Sequence, residues 1–338
     1  MSKTAQLALQ DNAELNYPQN NRNIIINGDF RVNQRVSGVY SPGILSTPTY
    51  AIDRWALVHF QAGKLTFQQS NNLTCPVTSY GYTITVASSY TPVSNDLFSM
   101  SQLIEGVNTA HLKWGTSSAK PVTLSFWVQC SVAGTYSVAL VSSASTYSYV
   151  TSFTVTSANV WQQITISIPG PTVGTWGVSN TTSLVLRFDF GSGSNVITSN
   201  TNSWQSTVNF RANGSAAFVS QATNATMSIT AIQLEVGIIP TPFEVQPFTK
   251  CVIDCMRYFF NNPSTIMAPT SAQGTGAGDR RILVPFPVSM RTTPTITTVG
   301  TNITGWAQTS PMSAQAYYSS TADALVQPGT TFDAELYS

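Results

Sequence analysis

The chain has 338 residues, and its 15 basic and 14 acidic side chains give a formal net charge of +1. Charged residues make up 9% of the chain, whereas about 25% is usual for a soluble domain. This composition excludes the clustered Lys and Arg of a nucleic-acid-binding surface. Hydrophobic residues account for 42% and aromatic residues for 11%, which is enough for a core and excludes a charge-rich disordered chain.

The sequence predicts neither membrane insertion nor a disulfide framework. No run of about 18 apolar residues occurs, and the first residues lack the apolar stretch of a secretory signal. We therefore expect the protein to stay where it is made, or to leave the cell by lysis as part of a particle. Four cysteines are too few to form a disulfide framework in a chain of this length.

Residues 1–22 are rich in Gln, Asn and Ala and carry only scattered leucines. An isolated helix this short is marginal in water. We interpret the segment as an arm that becomes ordered only against a partner. A floppy terminus is the alternative.

Period-two alternation dominates residues 23–250. Apolar residues occupy every second position in four segments, which are 122–128, 136–140, 164–168 and 184–190. Such alternation predicts half-buried strands, and the turn formers between the segments favour many short strands. In 227–236 the apolar phase slips by one residue, which predicts a β-bulge. The region is therefore predicted to be an antiparallel β-sandwich.

Residues 251–338 are predicted to form a linking helix and a smaller C-terminal β domain. Val252, Cys255, Met256 and Phe259 have helical spacing within 249–260. Alternation returns in 282–288 and 294–299. The fold class is therefore all-β, with one short helix between a large and a small β domain.

The sequence contains few groups suited to catalysis. Between Lys120 and Arg187 there is no Asp, Glu, Lys, Arg or His, so much of the sandwich supplies no acid or base. Glu235 and Glu244 are the best candidate pair of carboxylates for glycoside hydrolysis. A strand carboxylate is more often solvated or paired with Arg. We expect a protein that is not an enzyme.

Aromatic residues in or beside loops favour recognition of uncharged polar ligands such as sugars. An aromatic ring packs on the C–H face of a sugar, and nearby amides and hydroxyls bind its OH groups. The candidate glycan-binding residues are Trp114, Tyr147, Tyr149, Trp176 and Trp204. Packing at the edge of the core is the alternative for each tryptophan.

Several stretches, taken in order, resemble a family of bacteriophage tail-fibre and virion structural proteins with a carbohydrate-binding-module-like jelly-roll domain. The matching stretches are Asn23-Ile-Ile-Ile-Asn-Gly-Asp-Phe, Asp53-Arg-Trp, Gln102-Leu-Ile-Glu-Gly, Lys120-Pro-Val-Thr-Leu-Ser-Phe-Trp-Val, Ala133-Gly-Thr-Tyr, Trp161-Gln-Gln-Ile, Gly174-Thr-Trp, Gln233-Leu-Glu-Val-Gly, Thr241-Pro-Phe-Glu and Cys255-Met-Arg-Tyr-Phe. The resemblance covers about residues 23–260. It implies a homotrimer on the virion surface, assembled in the host cytoplasm, and no catalytic residues. Related sugar-binding modules hold a structural calcium, so the resemblance makes Asp29 and Glu235 candidate calcium ligands.

Three functions follow in order of preference. The first is a tail-fibre or receptor-binding protein, attached to other virion proteins through residues 1–22 and binding host surface polysaccharide. The second is a capsid decoration or head-fibre protein with a structural role. The third is a polysaccharide-degrading tail enzyme.

Overall fold

The structure is a computed structural model that describes residues 21–143, 146–268, 280–307, 309–318 and 324–337. The predicted arm over 1–22 lies outside these ranges except for its last two residues. The described chain divides into two compact units, one formed by 21–246 with Tyr337 and the other by Pro247–Leu336. No helix within the described ranges has the length and apolar character needed to span a bilayer.

The first unit is built almost entirely from strands. In chain order they are β1 (Val39–Tyr40), β2 (Leu45–Ile52), β3 (Trp55–His59), β4 (Leu65–Ser70), β5 (Gly81–Val86), β6 (Phe98–Glu105), β7 (Val122–Cys130), β8 (Gly134–Ser142), β9 (Ser148–Val155), β10 (Gln162–Ile168), β11 (Thr182–Asp189), β12 (Ile197–Thr198), β13 (Trp204–Gln205), β14 (Arg211–Ala212) and β15 (Thr226–Val236). Helical turns are short: α1 (Gly106–Thr109), and the 3₁₀ turns Ala110–Leu112, Ser194–Val196 and Phe218–Ser220.

These strands form two large antiparallel sheets. The six-stranded sheet has the order β1-β4-β5-β15-β7-β10, and the seven-stranded sheet has the order β13-β9-β8-β11-β6-β3-β2. The exception to antiparallel pairing is the two-residue parallel pair of β12 and β14. The predicted all-β sandwich is confirmed.

The core lies between the two sheets because the alternating apolar side chains of each strand point inward. Phe126 on β7 contacts two rings of the opposite sheet, Phe153 on β9 and Phe188 on β11, each with a centroid separation of 5.1 Å. Burying one such side chain stabilises the fold by roughly 1.5–3 kcal/mol. The inward residues of all four predicted alternating segments belong to this core or pack against it.

The predicted β-bulge is confirmed in β15. Its register against β7 shifts between Thr230 and Gln233, and Ala231 adopts a positive φ of 50°. The Ile232 N–H leaves the ladder and donates to the Gly28 carbonyl at 3.0 Å. The bulge therefore gives the N-terminal segment of the sandwich a backbone partner.

Alternation alone predicts one solvent-facing side for β11, but both of its sides are buried. A segment that we call the strap, residues 194–216, covers the outer side. The Phe210 ring of the strap lies 4.6 Å from the Arg187 guanidinium carbon, and the Ala212 N–H donates to Ser137 Oγ on β8. Burial lowers the pKa of Arg187 to about 10.

The N-terminal motif has a structural role in the first unit. Asn27 Nδ2 donates to the carbonyls of Val32 and Asp53, and the Trp55 indole donates to the Asn27 carbonyl at 3.0 Å. The Asp53 carboxylate accepts two hydrogen bonds from Gln34. These buried polar groups satisfy one another and fix the entry of the chain into the sandwich.

The second unit begins with helix α2 (Phe248–Met256). Its strands are β16 (Phe259–Asn261), β17 (Ile266–Ala268), β18 (Arg280–Pro285), β19 (Thr295–Thr297), β20 (Gly300–Thr301), β21 (Ile303–Ala307), β22 (Ser313–Tyr318), β23 (Ala324–Val326) and β24 (Thr331–Asp333). They form three small antiparallel sheets. Phe260, Phe286 and Phe332 lie at the centre of its core. Cys251 and Cys255 form the buried face of α2, whereas Phe259 lies beyond the helix in β16.

His59 provides a pH test of the fold. Its imidazole is fully buried on β3, edge-on to the Phe98 ring at 5.0 Å, and burial lowers its pKa to about 4 from 6.5. Between these values the unfolded chain binds a proton that the folded chain does not. The free energy of unfolding should therefore fall by about 2–3 kcal/mol as the pH drops from about 7 to about 4.

Urea denaturation of the wild type and of His59→Gln at both pH values measures this effect. Carboxylate titration is common to the two proteins, so His59→Gln should lose less stability on acidification. Equal losses would contradict the assignment of a neutral buried imidazole.

Candidate functional site

Several loops of the sandwich meet at one end. In the six-stranded sheet, antiparallel pairing places the end of β10 beside the start of β7. In the seven-stranded sheet, it places the ends of β6 and β8 beside the starts of β11 and β9. The β6–β7, β8–β9 and β10–β11 connections therefore emerge together. The Gly106 N–H donates to the Thr181 carbonyl at 2.9 Å, which joins the first of these connections to the third.

Three tryptophans from separate segments form a cluster at this end. Trp114 lies in the β6–β7 connection, Trp176 in the β10–β11 connection and Trp204 on β13 in the strap. Their ring centroids are 4.9, 5.3 and 5.4 Å apart, and all three pairs are edge-to-face. This is the favoured arrangement for aromatic quadrupoles. We call these residues the tryptophan cluster.

Two tyrosines flank the tryptophan cluster. Tyr149 is directly opposite Trp204 in the β9–β13 ladder, and their rings are 5.5 Å apart. Tyr147 packs against Gly174, where a Cβ would lie 2.8 Å from the tyrosine ring. All five predicted glycan-binding residues thus converge at one end of the sandwich.

Each indole N–H of the cluster has a backbone acceptor. Trp114 donates to the Lys120 carbonyl at 2.8 Å, Trp176 to Val173 at 3.2 Å and Trp204 to Pro169 at 2.6 Å. Since these donors are already used, the rings can offer a ligand only their apolar surface. Trp114 is 7% exposed, and Trp176 and Trp204 are partly buried.

An open cleft of about 290 Å³ lies beside the cluster, at the small end of the range for ligand pockets. We call it the tryptophan cleft. Its lining combines two indole rings, four hydroxyl side chains and one cation: Thr109, Ala110, Lys113, Trp114, Thr116, Ser118, Trp176, Gly177, Val178 and Ser183. Apolar ring surface with several hydroxyls can recognise a sugar ring.

The lining separates the five predicted residues into two groups. Trp114 and Trp176 line the cleft, whereas Tyr147, Tyr149 and Trp204 are not among its lining residues. Trp204 contacts both lining rings, whereas Tyr149 contacts Trp204 and Tyr147 packs against Gly174. Direct glycan contact by each of the five residues stays a prediction.

Sequence reasoning missed most of the polar lining. Lys113 could have been identified as a lining residue, because it is adjacent to the candidate Trp114 in the chain. Thr109 and Ser183 lie at the end of α1 and on β11, and nothing in their local sequence predicts that the two meet.

The candidate catalytic pair is engaged in backbone hydrogen bonds. Glu235 accepts from the backbone N–H and the hydroxyl of Thr241 at 2.8 and 2.6 Å. Glu244 accepts from the backbone N–H groups of Asn21 and Asn23 at 2.6 and 2.9 Å. Both carboxylates therefore hold chain segments in place, and neither lines the tryptophan cleft.

The candidate calcium ligands also have protein partners. Asp29 forms an ion pair with Arg31, and burial raises the pKa of Asp29 while Arg31 opposes the shift. Glu235 is held by Thr241 and by Gln233 at 3.0 Å. Within the described ranges no three His, Cys, Asp or Glu side chains group as metal ligands would. An arginine beside Asp29 does not fit a cation cage.

No protein-family model matches the chain, and no curated protein matches its sequence. Solved structures share its fold distantly. The enzymatically active domain of tailspike protein 4 from bacteriophage CBA120 is 11% identical over 64% of this chain and 21% of its own, with a TM-score of 0.34.

Two sugar-binding structures are similar at the same level. A family 11 carbohydrate-binding module from Clostridium thermocellum, in complex with a β-1,3-1,4-mixed-linked tetrasaccharide, is 12% identical over 61% of this chain and 99% of its own, with a TM-score of 0.30. A putative sugar-binding protein from Bacteroides thetaiotaomicron is 13% identical over 64% of this chain and 100% of its own, with a TM-score of 0.34. An α-L-arabinofuranosidase is matched over 25% of its chain.

Substitution of Gly115 tests whether the β6–β7 and β10–β11 connections depend on their close approach. Its φ is +84°, its N–H donates to the Pro171 carbonyl, and a Cβ there would lie 2.4 Å from the Gly174 carbonyl oxygen. Gly214 has nearly the same φ, +81°, with open space around it. Gly115→Ala should therefore cost about 1–3 kcal/mol more than Gly214→Ala, because only the former adds a steric clash to the backbone strain.

Chemical denaturation measures the difference between the two variants. The near-ultraviolet circular dichroism of the tryptophans should weaken in Gly115→Ala and stay unchanged in Gly214→Ala. Equal stability losses, with an unchanged tryptophan signal in both, would show that the loops do not depend on this close approach.

Proposed function

We propose that this protein is a carbohydrate-binding protein that holds glycan in the tryptophan cleft. The observation that carries the proposal is the convergence of Trp114 and Trp176, from two different loops, beside four hydroxyl side chains in one open cleft. A sugar ring needs both an apolar surface and hydrogen-bonding groups.

Trp176 is the main contact in this proposal. It is partly exposed, whereas Trp114 is buried and hydrogen-bonded beneath it. Edge-to-face packing against Trp114 and Trp204 holds the Trp176 ring in place before a ligand arrives. A rigid ring loses little conformational freedom on binding, which favours affinity.

We further propose that the protein is a phage tail-fibre or receptor-binding component on the virion surface that attaches to host polysaccharide. The ordered series of motifs supports this role, as does a charge content of 9%. A homotrimer would raise weak single-site affinities through effective concentration. Residues 1–22 would attach the trimer to other virion proteins.

A binding role is favoured over catalysis. The best candidate pair, Glu235 and Glu244, is committed to backbone donors, whereas a glycosidase needs both carboxyl groups to face the scissile bond. We therefore propose that the protein binds glycan without cleaving it.

A structural decoration protein of the capsid is the second candidate. It is favoured by the backbone acceptors of all three indole N–H groups, because a cluster that only fastens loops would have the same bonds. Labelling the protein on intact particles separates the two candidates, since a tail location supports attachment and a head location supports decoration.

Binding should depend on Trp176. Trp176→Ala should weaken glycan binding about tenfold or more on a glycan array or by calorimetry. Trp161→Ala is the matched control, because Trp161 is also partly buried but precedes β10 at the other end of the sandwich.

Circular dichroism should confirm that both variants remain folded. Equal binding by both variants would exclude the tryptophan cleft as the site. An array without a single bound glycan would leave the decoration role as the better account.

A further inference from the structure

The chain around the tryptophan cleft contains basic residues but hardly any acidic ones. Between Glu105 and Asp189 there is no Asp or Glu, whereas Lys113 and Lys120 both lie in the β6–β7 connection. Glu105, at the end of β6, is buried and is not among the lining residues. The overall charge of the chain is therefore low, but the segment between Glu105 and Asp189 has an excess of positive charge.

Lys113 lines the cleft beside both indole rings. It follows the 3₁₀ turn Ala110–Leu112 in a left-handed conformation with φ of 55°, an uncommon conformation for a residue other than glycine. Its N–H donates to the Ala110 carbonyl at 3.2 Å, which fixes the backbone that carries the side chain. The side chain is exposed to solvent.

A second cation lies close by. The Lys120 N–H donates to the Leu112 carbonyl, and its carbonyl accepts from the Trp114 indole, both at 2.8 Å. Burial lowers the pKa of His111, and the positive charge of Lys120 lowers it further. The residues that line the cleft include the cation Lys113 and no Asp or Glu, and a positive charge at a cleft attracts anions.

We propose that the glycan bound in the tryptophan cleft is anionic, with a carboxylate on the sugar ring that pairs with the Lys113 ammonium. This inference rests on the proposed glycan binding and names its ligand class, which sequence composition alone suggests is uncharged. Lysine provides a point charge suited to a single carboxylate contact, unlike the two-pronged contact of arginine.

Paired probes test the ligand class. Oligogalacturonate, oligoguluronate and hyaluronan oligosaccharides are each compared with their methyl esters, which keep the sugar and remove the charge. The wild type should bind at least one acid about two- to fivefold more tightly than its ester, as expected for a solvent-exposed ion pair. Raising the salt from about 0.05 M to about 0.5 M should reduce this preference.

Lys113→Met removes the charge and retains an unbranched side chain. It should abolish the preference for the acid, so that the acid and its ester bind the variant with equal affinity. Lys64→Met is the matched control, because Lys64 immediately precedes β4 at the opposite end of the sandwich. It should retain the preference.

The outcomes separate this inference from the proposed function. A preference that persists in Lys113→Met, or equal wild-type binding of acid and ester, overturns the inference. If Trp176→Ala still abolishes binding in that case, the carbohydrate-binding function stands. The wild type could also show no Trp176-dependent binding to any of the acids or esters and still bind neutral glycans on the array. That result would likewise overturn only the inference. Absence of binding to all glycans overturns both.

Discussion

Apolar packing between the inward faces of the two sheets is the interaction on which the rest of the first unit depends. Phe126 contacts Phe153 and Phe188 across the sandwich, and this packing fixes which side of each strand faces inward. A strand whose side chains face a fixed direction also has a fixed register. The positions of the connecting loops then follow from the positions of the strand ends.

In a chain with so few charged residues, uncharged amide side chains form many of the hydrogen bonds that hold the N-terminal segment. Gln102 on β6 both donates to and accepts from the Ile26 backbone, and Asn27 does the same with Val32. Such amides anchor the N-terminal segment without the desolvation cost of buried charges. Buried carboxylates are also present in the first unit, among them Asp53, which accepts from Gln34, and Asp189, which lies beside Arg211 of the strap.

The tryptophan cluster supports the loops at one end of the sandwich and also contributes rings to the cleft. The Trp204 N–H joins the strap to the β10–β11 connection, whereas the Trp114 and Trp176 N–H groups bind carbonyls of their own connections. The Trp114 and Trp176 rings line the cleft. A preformed surface lowers the entropy lost when a ligand binds. The strap contributes by carrying Trp204, and Phe210 over Arg187 holds the strap against β11.

The sequence alone predicted the strands of the four alternating segments, the bulge in β15 and the helix that begins the second unit, because these depend on periodicity between neighbouring residues. It also identified the five aromatic candidates by their place in loops. Tertiary structure decided that these candidates meet, that β11 is buried on both sides, and that Lys113 lines a cleft with Thr109 and Ser183. Those facts depend on pairing between strands that are far apart in the chain. Composition averages charge over 338 residues, so it cannot show where the positive charge is located.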